Sequence, residues 1–313
     1  MPRTPLKPVL SSLAALTLLA LLTPSAHAQT FADTLVSSSG LGSNGLYNNP
    51  SATLGQPATL INGIFDVPQA IYHVSMGYAP YATDPGGNNV ITSLGTSGTV
   101  TVKFTTPIVH SDQHWFGDDF IVFGNSFFST SSGVTPTTNM ANTLINGSGG
   151  IFQNGTPLIS VSADGISFVT LAASTWYPTN PFAWAGISAS NPSGWNDSQL
   201  MDFTRPVNPA LSSGAFAGVS VATAANSLYN GSAGGAAFSL AGVTDGSGNP
   251  LNSIQYIRFS GDGSGGTNNI DAVSRVGFAS TTPTATPEPG TGAMLLVGLA
   301  GVGVLRRRRY ARG

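Results

Sequence analysis

The chain has 313 residues, 39 of them glycine and none cysteine, so the fold must be held by burial and hydrogen bonds rather than disulfides. Between residues 29 and 285 the basic residues are Lys103, Arg205, Arg258 and Arg275, against twelve aspartates and no glutamate, a net charge of about −8. That balance excludes nucleic-acid binding, which needs clustered Lys and Arg, and the missing residue types exclude thiol catalysis and Glu-based glycosidase pairs.

Arg3 and Lys7 open the chain, an uncharged Leu/Ala-rich stretch runs from Val9 to Leu22, and Ala26-His27-Ala28 follows. Together these parts predict a secretory signal peptide over 1–28, cut by signal peptidase between Ala28 and Gln29, with Ala26 and Ala28 as the small residues of the site. The apolar stretch is too short to span about 30 Å of hydrocarbon comfortably.

From Phe31 to Phe278 no convincing amphipathic helix is found, and short β-type runs alternate with Gly/Asn/Asp/Pro clusters. In Gly98 to Phe104, Val100, Val102 and Phe104 fall on one face and Thr99, Thr101 and Lys103 on the other, a half-buried strand. Phe120-Ile121-Val122-Phe123 is apolar on both faces and reads as a central strand. Leu158 to Val161 and Ile166 to Leu171 flank Asp164-Gly165, a hairpin signal. Later strands are expected at Ala217 to Ala222, Ile254 to Phe259 and Ala272 to Phe278, with long loops at Ser126 to Gly155 and Trp176 to Ser213. The fold class is therefore all-β: an antiparallel β-sandwich, jelly-roll-like, over 29–280.

A Thr/Pro linker, 281–286, precedes Pro287-Glu288-Pro289, an uncharged run over 292–305, and Arg306-Arg307-Arg308-Arg309. An apolar run followed by arginines stops in the inner membrane with the arginines on the cytoplasmic side. At 1.5 Å per residue the run reaches only about 21 Å, short for a permanent transmembrane helix. Pro287, Glu288, Pro289, the short apolar segment and Arg306, Arg307, Arg308 and Arg309 resemble, in that order, the PEP-CTERM sorting signal over 287–313. The resemblance implies recognition by an exosortase of a Gram-negative bacterium, cleavage near Pro287-Glu288-Pro289 and release to the cell surface or extracellular matrix.

A second resemblance covers about 100–278. Asp118 to Asn125, Val161 to Phe168, Asp202 to Val207, Gly234 to Ala241, Tyr256 to Phe259, and Gly261-Asp262-Gly263 leading to Ile270-Asp271-Ala272-Val273 are similar, in order, to bacterial surface proteins with a galactose-binding-like or discoidin-like sandwich. Phe238-Ser239-Leu240-Ala241 stands where that group has Phe-Asp-Leu-Ala, and the group implies no activity.

Three side-chain sets are chemically suggestive. Asp262, Asn268, Asn269 and Asp271, in the glycine-rich segment 261–271, offer hard oxygen ligands for calcium, although the segment lacks EF-hand spacing and also reads as a turn whose side chains cap its own backbone. Trp176, Trp184 and Trp195, in one Pro/Asn-rich stretch with Tyr177 and Phe182, could stack on sugar rings or cover a sandwich edge. His110-x-Asp112-x-His114 would put three zinc-type ligands on one face if extended. Asp118 and Asp119, adjacent in a strand, point to opposite faces and cannot act as a glycosidase pair. The expected function is an exported, non-catalytic surface protein associated with exopolysaccharide or biofilm. The alternative is a secreted polysaccharide-active enzyme with an Asp-based site.

Overall fold

The computed structural model describes residues 30–279, apart from 43–46, 64–69, 82, 148–149, 153–154 and 264–267. The signal-peptide site at Ala26, Ala28 and Gln29, the linker and the sorting tail lie outside the described residues. Within them are fourteen strands: β1 (Thr34–Leu41), β2 (Leu60–Asn62), β3 (Ile71–His73), β4 (Thr92–Val109), β5 (Phe120–Gly124), β6 (Phe127–Phe128), β7 (Ile151–Phe152), β8 (Leu158–Ser162), β9 (Val169–Thr170), β10 (Phe182–Trp184), β11 (Trp195–Leu200), β12 (Ala236–Phe238), β13 (Ser253–Ser260) and β14 (Asn268–Arg275). Every paired strand is antiparallel. Among the described residues no helix is long and apolar enough to cross a membrane.

Eight strands form one sheet in the order β12-β5-β14-β4-β13-β8-β9, with β1 also paired to β4. The 18-residue β4 is shared: Thr92 to Leu94 pair with β14, and Thr99 to Val109 pair with β13. The sheet turns through this strand and curls into a half-barrel. The three remaining pairs, β2-β3, β6-β7 and β10-β11, are two-stranded ribbons within long connections.

The alternation expected in β4 is observed. Val100, Val102 and Phe104 are fully buried in one core with Phe120, Val122, Ile257, Phe259, Ile270 and Val273. The opposite face of β5 gives Ile121 and Phe123 to a second core, built with Tyr72, Met76, Phe128, Met140, Trp195, Phe216 and Tyr229 from the connections. A strand apolar on both faces thus separates a sheet core from a loop layer. Fully burying one such aliphatic or Phe side chain contributes about 1.5–3 kcal/mol.

Two expected strands differ. Ala217 to Ala222 does not form a strand: a 3₁₀ turn at Ser213–Phe216 leads to helical residues at Val221–Thr223 and Ala224–Leu228. Ser220 caps the helical stretch by accepting from the Thr223 N–H, and Val221, Ala222, Ala224 and Ala225 are buried together. The last strand begins at Asn268, four residues earlier than expected, because Asn268, Asn269 and Ile270 pair with β4.

The four body cations are not in ion pairs with carboxylates among the described residues. Each lies over an aromatic ring: Lys103 over Tyr256 (5.3 Å), Arg205 over Trp115 (4.2 Å), Arg258 over Phe168 (3.6 Å) and Arg275 over Phe104 (5.7 Å).

Candidate functional site

The tryptophans expected to form one sugar-binding face are divided between the two cores. Trp176 is 4% exposed in the sheet core, with its ring against Gly124. Trp195 is 2% exposed in the loop layer. Both indole N–H groups are buried without an acceptor. Neither ring has a free face for a sugar, because packing against apolar neighbours uses that area. Trp184 is half-buried, pairs across β10-β11 with Trp195, and donates from Nε1 to the Ser193 carbonyl at 3.3 Å.

The four residues expected to hold calcium do not share a loop. Asn268, Asn269 and Asp271 belong to β14, whose alternation sends Asn268 and Asn269 to opposite faces. Asn268 is buried with both amide atoms unpartnered, while Asn269 pairs with the Ser93 hydroxyl. Asp271 is 2% exposed and accepts the Ala58 N–H at 3.0 Å. Burial holds its carboxyl well above the usual carboxylate range, opposed by that one N–H. Asp271 lines a cavity of about 440 Å³ with Asp84, Asn88 and Gln56, on the side of residues 51–60 and 84–90. Asp262 precedes the undescribed residues 264–267. Among the described residues no group of three His, Cys, Asp or Glu side chains could hold a metal ion.

The histidine segment is organised by a residue outside the expected set. Asp119, fully buried at the entrance to β5, accepts four hydrogen bonds: from His114 Nδ1 (2.9 Å) and the Ser111 N–H (3.2 Å) at Oδ1, and from His110 Nδ1 (2.9 Å) and the Leu240 N–H (2.7 Å) at Oδ2. An accepting carboxylate puts the proton of each ring on Nδ1. Asp112 is exposed and only approaches His110 Nε2 at 3.5 Å. Residues 110–114 form a turn, so the alternation that would align three ligands is absent. Asp118 and Asp119 precede β5 rather than lying within a strand, and Asp118 lines a separate cavity of about 200 Å³ with Ser174, Thr175 and Tyr177. Burial, helped by the neighbouring Asp119 charge, pushes its carboxyl up to about 6.

A surface aromatic site lies around Trp115, Phe116 and Arg205, none of which was among the expected site residues. Phe116 (φ 59°) and Asn230 (φ 45°) are the only non-glycine residues with positive φ among the described residues. Both line one cavity of about 320 Å³, with Trp115, Arg205, Asn208 and Ser227. A bulky side chain in this left-handed region costs about 1–2 kcal/mol. Phe116 is nonetheless 46% exposed, so the strain presents an aromatic ring to solvent instead of filling a core. Arg205 packs on the Trp115 ring and forms the wall between Trp115 and the Gly231 turn. Trp115-Phe116-Gly117 carried no signal of this: left-handed geometry at a phenylalanine has no sequence signature, and only Gly117, itself at φ 76°, hinted at a tight turn.

Comparison with protein-family models finds the PEP-CTERM protein-sorting motif at residues 285–309. No curated protein matches the chain. The motif identifies an exported bacterial surface protein processed by an exosortase. Pro287, Glu288, Pro289 and Arg306, Arg307, Arg308 and Arg309 fall within the matched segment.

Proposed function

We propose that the exported body is a non-catalytic surface component that holds polysaccharide at the cavity of Trp115, Phe116 and Arg205. The observation that carries this reading is the convergence of both strained non-glycine residues on one surface cavity whose exposed member is aromatic. An exposed ring offers a face to a sugar, and Asn208, Ser227 and Asn230 supply donors and acceptors for hydroxyls. One aromatic contact is worth about 0.5–1.5 kcal/mol, so a single site is weak, and many copies along one polymer provide retention. The net charge near −8 favours neutral or weakly charged glycans at this cavity. Exopolysaccharide of a Gram-negative producer, the substance of a biofilm matrix, is the natural ligand for a protein released there. A glycan array probed with protein recovered from the cell surface tests this: neutral glycans should give signal that weakens in Phe116→Ala, and silence across the array would contradict the reading.

A hydrolytic reading draws on Asp118 alone, whose raised carboxyl would suit a general acid. Among the described residues no other Asp or Glu lines that cavity to serve as its partner carboxylate. Release of reducing sugar by wild type and not by Asp118→Asn would establish this reading in place of the first.

A further inference from the structure

A cavity of about 490 Å³ opens at the end of β4, on the other side of the segment that bears Trp115. Its walls are apolar at Pro107, Ile108, Val109, Val276 and Phe278, and Phe278 is 64% exposed at its edge. The size is within the range of small-molecule sites, about 300–1,000 Å³. Among the described residues no carboxylate lines it, and Arg275 is its one fixed charge.

Arg275 differs from the other three body cations. Among the described residues it alone of the four has a buried N–H, at Nε, without an acceptor. The Thr106 carbonyl, which accepts from Nη2 at 2.8 Å, is its only protein acceptor there. Burial of the guanidinium makes its charge more costly, in the direction that lowers its pKa. A half-dehydrated cation without an anion is an incomplete arrangement, since removing charge from water is costly unless the charge is paired. In the same lining, Ser111 accepts the Gln113 N–H at its hydroxyl oxygen and keeps its own O–H uncommitted. His110 and His114, both fixed through Nδ1 by Asp119, make this end of the cavity rigid. Asp119 itself is occupied by its four donors and does not line the cavity.

We propose that this cavity is a binding site for an organic carboxylate borne on a compact apolar group, with the carboxylate at Arg275 and the Ser111 hydroxyl and the apolar part against Ile108, Val276 and Phe278. Charge and shape both enter: guanidinium suits the two oxygens of a carboxylate, and the walls reward an apolar body. The site is separate from the sugar cavity and does not require it.

Benzoate is the probe, with benzamide as its neutral isostere and inorganic phosphate as an anion without an apolar part. Titrations of the surface-recovered protein are followed by NMR and calorimetry. Saturable benzoate binding is expected, with benzamide and phosphate each weaker by about tenfold or more, in line with the penalty for leaving a charged partner unpaired. Shifts should concentrate at residues 107–111, 114, 204 and 275–278. Arg275→Gln should lose about tenfold in affinity, and Arg258→Gln, which removes a cation elsewhere, should lose none. Equal binding of benzoate and benzamide, phosphate binding as tight as benzoate, no benzoate binding, or shifts centred outside those residues would each overturn the proposal. The shift map uses wild-type protein, so the result stands even if Arg275→Gln fails to fold.

Discussion

The sheet core and the loop layer lie on the two faces of β5 and are built by different rules. In the sheet core the strands satisfy one another's backbone groups by regular pairing around buried Val100, Val102, Phe104, Phe120, Ile257 and Phe259, and the polar atoms left buried without a partner there include Trp176 Nε1. In the loop layer irregular backbone leaves groups that side chains must satisfy. Tyr229 donates to the Pro178 carbonyl at 2.6 Å and Tyr177 to the Leu211 carbonyl at 2.5 Å, while Tyr72 Oη and Trp195 Nε1 are buried without a partner. The core packed by regularly paired strands therefore lies on one face of β5. The other face, with its turns, strained residues and polar atoms, has what is needed to build the aromatic cavity.

The largest test of this contrast is a pair of truncations. Phe259→Ala, in the sheet core, should cost about 3–5 kcal/mol in urea unfolding. Met140→Ala, 2% exposed in the loop layer, should cost about 2 kcal/mol, the low end for such a change, because surrounding loops can close on the space. Equal losses would erase the distinction.

Next in size is the seam between the layers. Gly234 (φ 91°) and Gly235 (φ 87°) lead into β12, where a Cβ would meet the Pro178 carbonyl at one position and Ile121 at the other. Gly235→Ala should destabilise by about 1–3 kcal/mol, read by thermal melting. An unchanged melt would mean that the loop layer yields where the structure has it touching β5.

A smaller effect follows from Asp271 and Asp118. Both carboxyls are raised, so above the ordinary value of 3.8 the native state binds more protons than the unfolded state. The stability these two groups contribute is therefore greatest in acid and is lost as pH rises, for Asp118 between 3.8 and about 6 and for Asp271 through its higher folded value. Asp118→Asn should flatten the curve below about pH 6 by roughly 1 kcal/mol once solvent screening is allowed for. Asp271→Asn should remove the loss that continues above that window. A wild-type melting temperature that calcium raises, with no such rise in Asp271→Asn, would assign the carboxylate to a metal instead.

The smallest expected change in stability is at Phe116. Its ring is half-exposed and outside both cores, so Phe116→Ala should shift stability by no more than about 0.5 kcal/mol. A large loss would make it a packing residue and remove the support for a binding role.

What could be read in advance follows the same division. Alternation in Gly98 to Phe104, the double-sided run at Phe120 to Phe123 and the Asp164-Gly165 turn all reappear in the sheet, because strand periodicity is a local property. In that turn Asp164 accepts the N–H groups of Ile166 and Ser167, which holds its carboxyl down at about 2. The loop layer was not legible in this way. Trp176 and Trp195 look like binding residues in a Pro/Asn-rich stretch, but which core each enters depends on contacts far along the chain. Asp119 looks like half of an acidic pair, and only the return of Leu240 and of the 110–114 turn shows that it holds two histidines. Asn268 to Asp271 looks like loop because glycine precedes it, and pairing with β4 makes it strand. The sorting signal was legible because it is a linear motif that needs no fold to display it.

The proposed hold on polysaccharide is at the loop-layer cavity of Phe116 and not at the buried tryptophans. It is tested most directly by co-sedimentation of surface-recovered protein with the producing strain's own extracellular polysaccharide, comparing wild type, Phe116→Ala and Trp176→Phe. Phe116→Ala should stay folded and lose about tenfold or more in retention, the loss of one stacked ring multiplied over many sites. Trp176→Phe should be retained like wild type. Retention of Phe116→Ala equal to wild type, or loss confined to Trp176→Phe, would contradict it.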